Sequence, residues 1–396
     1  MKAVTWQAPK KVQVDEVPEP RLQEPTDAIV RITSSGLCGS DLHLYNVLGM
    51  FLEPGDILGH EPMGIVEDIG PGVNHIKPGD RVVIPFNVSC GSCWMCRRGL
   101  MSQCETTQMT DQGKGGQLLG YTSLYGSIPG GQAEYLRVPQ AHFGPIKVPP
   151  THPDEHYLFL SDVLPTAWQG VAYADVTEGG TCTVIGLGPV GQMAARIAKH
   201  FGARLVIGVD RVPERLEMAR RNGIVTINSD EVDDVGDVVR DLTDGRGTDS
   251  VVEAVGMEAH GAPVQELAQK ATRLLPDKLG QRAAETVGVD RMAALTMSFD
   301  VVRRGGVISL LGVYGGQADP FPMMDLFDKQ IDLRMGQANV KRWIDDILPV
   351  LERVDDPLGV ADLTTHQMPL EEAPHAYDMF EKKQDGCIKV VLKPGG

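Results

Sequence analysis

The sequence predicts an α/β protein in two parts, an irregular β-rich domain and a doubly wound parallel sheet covered by helices. Up to about Val148 the chain shows short β-like runs broken by Gly and Pro turns. After Pro165, runs of β-branched residues alternate with helical stretches, the texture of a parallel sheet with crossover helices. The 396 residues suffice for two or three domains. With 42% hydrophobic and 23% charged residues, composition is that of a globular protein and excludes a disordered, collagen-like or coiled-coil chain.

In the first part the strands are MKAVTW, AIVRITSS, GIVEDI and RVVIPF. The second part opens with TCTVIGLG, then the helical PVGQMAARIAKHFGA, the strand RLVIGVD and the helical ERLEMARRNG. SVVEAV, GVISLLGV and IDLRMGQ extend its sheet, and from about Ala338 a helix and the strand-like CIKVVLKP follow. The stretch 257–299 is longer than one crossover helix requires. Its Val264, Leu267, Ala268, Ala271 and Leu275 have helical spacing, so it reads as an additional surface helical hairpin.

Lys+Arg 37 against Asp+Glu 53 gives a net charge of −16, which repels phosphate backbones and anionic lipid and argues against nucleic acid as a partner. No run approaches the ~18 apolar residues of a membrane span. The start, MKAVTWQAPKKVQVDE, turns polar before a signal-peptide core forms. The expectation is a soluble cytoplasmic protein.

Seven cysteines in a long chain without export signals argue against a disulfide framework. Cys90, Cys93, Cys96 and Cys104 form C-x2-C-x2-C-x7-C, which lets four thiolates converge on a tetrahedral ion from one loop. Four sulfur ligands leave no open position, so this zinc is expected to be structural, pinning a loop with little core of its own. Cys182 and Cys387 lie in apolar strand-like runs, where cysteine behaves as a small hydrophobe, and receive no role.

Gly186-Leu187-Gly188-Pro189-Val190-Gly191 reads G-x-G-x-x-G between the strand TCTVI and an apolar helix. In that context the glycines permit a tight turn and close approach of a pyrophosphate, which the helix N-terminus stabilises. The next strand ends at Asp210, near the ~20-residue offset where a carboxylate accepts hydrogen bonds from ribose hydroxyls and repels a 2′-phosphate. NAD is favoured over NADP, although Arg211 and Arg215 could each approach a phosphate.

GLCGSDLHLY supplies Cys38, Ser40 and His43, and ILGHEPMGIVEDIGPGV supplies His60 and Glu61. With G-H-E-x2-G-x5-G-x2-V complete from Gly59 to Val73 and the cysteine loop following it, the sequence closely resembles the zinc-dependent medium-chain alcohol dehydrogenases almost end to end. The resemblance implies a GroES-like catalytic domain over 1–163, a Rossmann NAD-binding domain over 164–336, and a return to the catalytic domain over 337–396. It implies Cys38 and His60 as catalytic zinc ligands, with Asp162 third. Asp162 with the following LPT is similar to bacterial alcohol dehydrogenases and glutathione-independent formaldehyde dehydrogenases. Glu61 resembles the family's carboxylate beside the zinc, Thr166 a nicotinamide-side contact, Val190 a residue beneath the cofactor, and Lys389 a pyrophosphate contact. Arg215 is included among the cofactor residues.

The resemblance thus implies NAD and two zinc ions per chain, a small alcohol or aldehyde substrate, and a homo-oligomer, tetramer or dimer. Three protein ligands leave zinc a fourth position at which it polarises a substrate oxygen. The alcohol proton would leave through Ser40, the nicotinamide ribose and His43, with His43 at the solvent end. Two other readings are kept: an aldehyde dismutase with retained NAD, and a zinc- and NAD-binding sensor or structural protein without turnover.

Overall fold

The computed structural model describes residues 1–256, 292–314 and 321–395. The chain divides into two compact units, Met1–Thr166 with Ala338–Gly396, and Ala167–Gln337. The residues Val264 to Leu275, expected in a helical hairpin, lie outside the described residues.

In the first unit, β1 (Lys2–Ala8) and β2 (Lys11–Glu16) form an antiparallel pair. There follow β3 (Ala28–Leu37), α1 (Gly39–Asn46), β4 (Glu61–Ile69), β5 (Arg81–Val83), β6 (Tyr135–Val138), β7 (Ile146–Lys147), α2 (Asp154–Tyr157) and α3 (Val163–Tyr173). The units divide inside α3, after Thr166. The strand expected over RVVIPF stops at Val83: Ile84 N–H still bonds Pro62 O of β4, but Pro85 has no N–H to carry the ladder further. The strand expected at GIVEDI starts earlier, at Glu61.

The second unit contains β8 (Thr181–Ile185), α4 (Pro189–His200), β9 (Leu205–Asp210), α5 (Pro213–Arg221), β10 (Val225–Asn228), α6 (Val235–Leu242) and β11 (Thr248–Glu253). It continues with α7 (Ala293–Val301), β12 (Val302–Leu310), α8 (Met323–Lys329) and β13 (Asp332–Met335). Its sheet has the order β10-β9-β8-β11-β12-β13, every pair parallel, which is the doubly wound Rossmann arrangement. β8 is buried at every position because it is central, and its TCTVI lacks polar alternation for that reason. Ile185, Ile207, Val251, Phe299 and Ile308 are among the side chains packed in this unit's core.

The chain then returns to the first unit with α9 (Val340–Leu351), β14 (His366–Pro369), α10 (Ala373–Lys382) and β15 (Val390–Lys393), two helices and two strands where one of each was expected. β15 pairs antiparallel with β3, giving a seven-stranded sheet in the order β14-β15-β3-β4-β5-β7 with β6 also on β3. One apolar cluster holds Val30, Ile32, Val66, Val82 and Leu136; a second joins Val4, Trp6, Leu37 and Leu58 to Tyr377, Phe380 and Leu392 of the returning segment. Each such buried side chain contributes roughly 1.5–3 kcal/mol relative to exposure. Among the described residues no helix is long and apolar enough to cross a membrane.

Candidate functional site

Cys38, His60, Glu61 and Asp162 converge within the first unit. The antiparallel register of β3 and β4 pairs Gly36 with Glu61, so Cys38 and His60 leave the same end of the strand pair. A Cβ at Gly36 would meet Glu61 Oε2 at 2.2 Å, so glycine there gives the carboxylate its room. Asp162 arrives from the turn before α3. One donor atom from each of the four residues lies within 4.8 Å of the others, and all four residues are buried. Cys38 Sγ is 3.8 Å and His60 Nε2 3.3 Å from Asp162 Oδ2.

Each of these groups is held from behind. His60 Nδ1 faces Asp41 Oδ1 at 3.2 Å, while Asp41 Oδ2 accepts from Cys38 N–H at 2.9 Å. The Thr166 hydroxyl donates to Asp162 Oδ1 at 2.6 Å. Lys389, fully buried, donates to Glu61 Oε1 and Oε2 at 2.8 and 2.6 Å. Burial, with the Glu61 charge, pushes the Cys38 thiol up to about 11. Burial acts to lower His60, but the Asp41 charge and the bonds to Asp162 and Asp41 raise it well above 6.5. Burial acts to raise Asp162, yet His60, Thr166 and Lys389 hold its carboxyl below 3.8.

Thiol, imidazole and carboxylate form a donor set suited to Zn²⁺. Three lone-pair donors crowded at one buried point need a positive charge among them. The residues therefore fit a zinc ion held by Cys38, His60 and Asp162, with Glu61 beside it.

The four cysteines of the loop also meet, their sulfurs within 4.8 Å of one another. None of the seven cysteines is in a disulfide. Backbone N–H groups of Cys104's neighbour Glu105 and of Cys96 each donate to Cys93 Sγ at 3.4 Å, and Thr106 Oγ1 donates to Cys90 Sγ at 3.1 Å. Such bonds favour thiolate: against burial, they bring Cys90 down to about 6 and lower Cys93. The donor set fits a closed tetrahedral zinc.

In the second unit, Gly186 turns at φ +84° and a Cβ on it would meet Val255 Cγ2 at 2.5 Å. At Gly191 a Cβ would stand 1.8 Å from Gly186 O, so glycine lets α4 lie against the strand end. A Cβ on Gly188 would have Arg215 Nη1 at 3.7 Å as its nearest neighbour beyond the adjoining residues, so the turn leaves a cradle there that a side chain would fill. Pro189 starts α4, and its N-cap, Gly188, has no side chain to cap it, which suits the helix N-terminus to an anion. Val190 is half-buried. The cradle fits the pyrophosphate of a dinucleotide.

Several residues are placed differently from the expectation. Lys389 is committed to Glu61 at a fully buried position instead of extending toward a pyrophosphate, because the Glu61 carboxylate needs a partner there. His43, on α1, is only 7% exposed and is not a solvent-facing group; Ser40, in the first turn of the same helix, is half-buried. Asp210 is 9% exposed, and its carboxylate accepts from the N–H groups of Leu187, Arg211 and Val212 at 2.7, 2.7 and 2.9 Å. It therefore ties the glycine turn to the end of β9. Arg215 Nη1 is 3.8 Å from it, and Arg211 pairs with Asp230. Asp41 escaped the sequence reading, although an Asp three residues after Cys38, in the first turn of a helix, is a local signal for a buried acceptor.

Residues 24–149 match the alcohol dehydrogenase GroES-like domain family, and residues 189–276 the zinc-binding dehydrogenase family. The uncharacterized zinc-type alcohol dehydrogenase-like protein AdhB of Bacillus subtilis (strain 168) is 40% identical, with 100% of both chains covered. The chain belongs to the zinc-dependent medium-chain alcohol dehydrogenases. The structure of alcohol dehydrogenase TADH from Thermus sp. ATN1 is similar to this alcohol dehydrogenase with a TM-score of 0.83 and 37% identity, covering 100% of each chain. Formaldehyde dismutase of Pseudomonas putida is 31% identical over 100% of this chain and 98% of its own. Membership makes the protein an alcohol oxidoreductase of GroES-like and Rossmann-type architecture that acts on small alcohols.

Proposed function

We propose that this alcohol dehydrogenase transfers hydride between a small alcohol, or an aldehyde hydrate, and NAD, reversibly, with catalytic zinc held by Cys38, His60 and Asp162. The observation that carries the reading is the buried convergence of those three donors, each backed by a partner of its own. Zinc bound there supplies Lewis acidity toward an alcohol or carbonyl oxygen. Asp41 keeps Nδ1 of His60 turned toward itself and leaves Nε2 for the site. Thr166 occupies one oxygen of Asp162 and leaves Oδ2 facing Cys38 and His60. Lys389 balances the buried charge of Glu61. Ser40 and His43, three apart on α1 and so on one helix face, are the pair assigned to carry the alcohol proton away, with His43 inside the relay. A second zinc in the four-cysteine loop is structural. Asp210 supports NAD over NADP by placing negative charge beside the glycine turn.

The test is NADH formation by the zinc-loaded protein against a panel of alcohols, beside Asp162→Ala. The variant is expected to bind NAD and melt like the wild type while turnover falls by about 10³-fold or more, several kcal/mol of Lewis-acid stabilisation. Turnover within about tenfold of wild type defeats the assignment. The likeness to formaldehyde dismutase supports a second reading, dismutation with retained NAD. It requires NAD released on gentle denaturation, and equal yields of formate and methanol from formaldehyde without added cofactor.

A further inference from the structure

The segment carrying His60 is clasped by a second stretch of backbone. Gly59 has φ +100°, and a Cβ on it would meet Gln132 Cγ at 2.4 Å and Gln132 N at 2.6 Å. Gly130 has as little room: its Cβ would meet Leu58 O at 2.2 Å. Gln132 N–H donates to Leu58 O at 3.0 Å and Val4 N–H donates to Gln132 O at 2.8 Å, so the Gln132 backbone is fixed from both sides.

The Gln132 side chain, fully buried, joins two groups. Its Nε2 donates to Asp41 Oδ2 at 3.4 Å, and its Oε1 accepts from the Tyr377 hydroxyl at 2.9 Å. Tyr377 lies in α10, fully buried in the apolar cluster with Leu44 and Phe380. A phenol among apolar side chains must donate its proton somewhere. By donating to Oε1 it sets the amide so that the NH₂ group, and not the carbonyl, faces the carboxylate.

We propose that Gln132 and Tyr377 are positioning residues for the metal centre: the chain Tyr377–Gln132–Asp41 fixes the Asp41 carboxylate, hence the ring of His60, and sets how tightly Cys38, His60 and Asp162 hold their ion. The proposal rests on the reading of those three residues as zinc ligands. Asp41 holds Cys38 N–H and His60 Nδ1 at once, so a carboxylate that rotates disturbs two ligands together. Neither Gln132 nor Tyr377 is one of the four candidate donors.

The test uses the full chain loaded with zinc. Tyr377→Phe removes one oxygen from an apolar cluster, and Gln132→Met removes the amide at similar volume. Zinc release to a chelator is followed for both ions, with the four-cysteine loop as internal reference. Release from the Cys38 site is expected to quicken about 10-fold in Gln132→Met, the lower end of what partners of metal ligands contribute, and about 3-fold in Tyr377→Phe. The loop ion is unaffected in both. Tyr377→Phe adds nothing in the Gln132→Met background, because the phenol acts through the amide. With cobalt replacing zinc at the Cys38 site, both variants shift its visible absorption bands, a change that loss of stability alone does not produce. Wild-type release and wild-type bands in both variants overturn the proposal, and additive effects in the double variant overturn the relay through Gln132. A wild-type chain that binds zinc only in the loop overturns the ligand reading itself, and the proposal with it. If Gln132→Met does not fold, Tyr377→Phe decides.

Discussion

A methyl group at Gly191 would lie 1.8 Å from a carbonyl oxygen, whereas one at Gly188 would have its nearest neighbour at 3.7 Å. Two glycines of one motif thus predict opposite behaviour. Gly191→Ala is expected to lower stability by about 1–3 kcal/mol, as overpacking does, read in thermal melts. Gly188→Ala is expected to melt like the wild type and to lose NAD affinity at least ~10-fold, because it fills the cradle; an NAD titration checks it, and unchanged affinity counts against a pyrophosphate there. Asp210→Ala is expected to weaken NAD more than NADP, and also to lower the melting temperature, because three N–H groups lose their acceptor. A lower melting temperature with an unchanged NAD/NADP ratio would leave Asp210 a purely structural anchor. At this scale the four loop cysteines were legible because their chemistry and short-range spacing are written in the chain, whereas Cys38 and His60 were reached as ligands only through the family resemblance. Gln132 and Tyr377 were not legible, since a hydrogen bond between residues 245 apart depends on strand register and helix placement that no local pattern encodes.

The elements are tied by a few polar pins. Asp154, at the start of α2, accepts from Thr33 and Ser34 of β3 at 2.5 and 2.8 Å and from Arg81 of β5 at 3.0 and 2.5 Å, so one carboxylate joins a helix to two strands. Burial acts to raise its pKa, but the bonds to Thr33, Arg81 and Ser34 bring it below 3.8. A depressed carboxylate contributes stability above its unfolded pKa of ~3.9, and that contribution fades as pH falls through the folded value. Asp154→Asn is expected to cost about 1–3 kcal/mol at neutral pH. Its difference from wild type should shrink as denaturation is repeated toward pH ~2, below both values; a constant difference refutes the pin. The cysteine loop has its own pin, Ser102 N–H to Asn339 Oδ1 at 3.0 Å, and almost no apolar core beyond its thiols and Met101. Cys96→Ser is therefore expected to lower both the melting temperature and zinc content by one ion per chain, whereas Asp162→Ala lowers zinc content alone. Equal melting losses in the two variants contradict the division between structural and catalytic ions. Strand positions were legible from β-branched runs, but RVVIPF shows the limit: its composition extends past Val83, while Pro85, with no N–H to donate, stops the ladder.

For the whole molecule, the order β10-β9-β8-β11-β12-β13 follows from strand–helix alternation and right-handed crossovers, and so was within reach of the sequence. The composite first unit was reachable only through family resemblance, because nothing local announces that β15 will pair with β3. Truncation after Gly386, which removes β15 and Lys389, is expected to leave the described segment 167–256 of the second unit resistant to limited proteolysis while residues 1–166 are digested; equal resistance of both segments contradicts it. The bond between Lys389 and Glu61, 328 residues apart, also carries a schedule. Synthesis runs from the N-terminus, so the contiguous second unit can fold while β3 still lacks its neighbour and Glu61 its counter-charge. A buried carboxylate left without its partner is costly. If Cys38, His60 and Asp162 hold zinc as proposed, lasting capture of that ion is expected only after residue 389 has emerged from the ribosome.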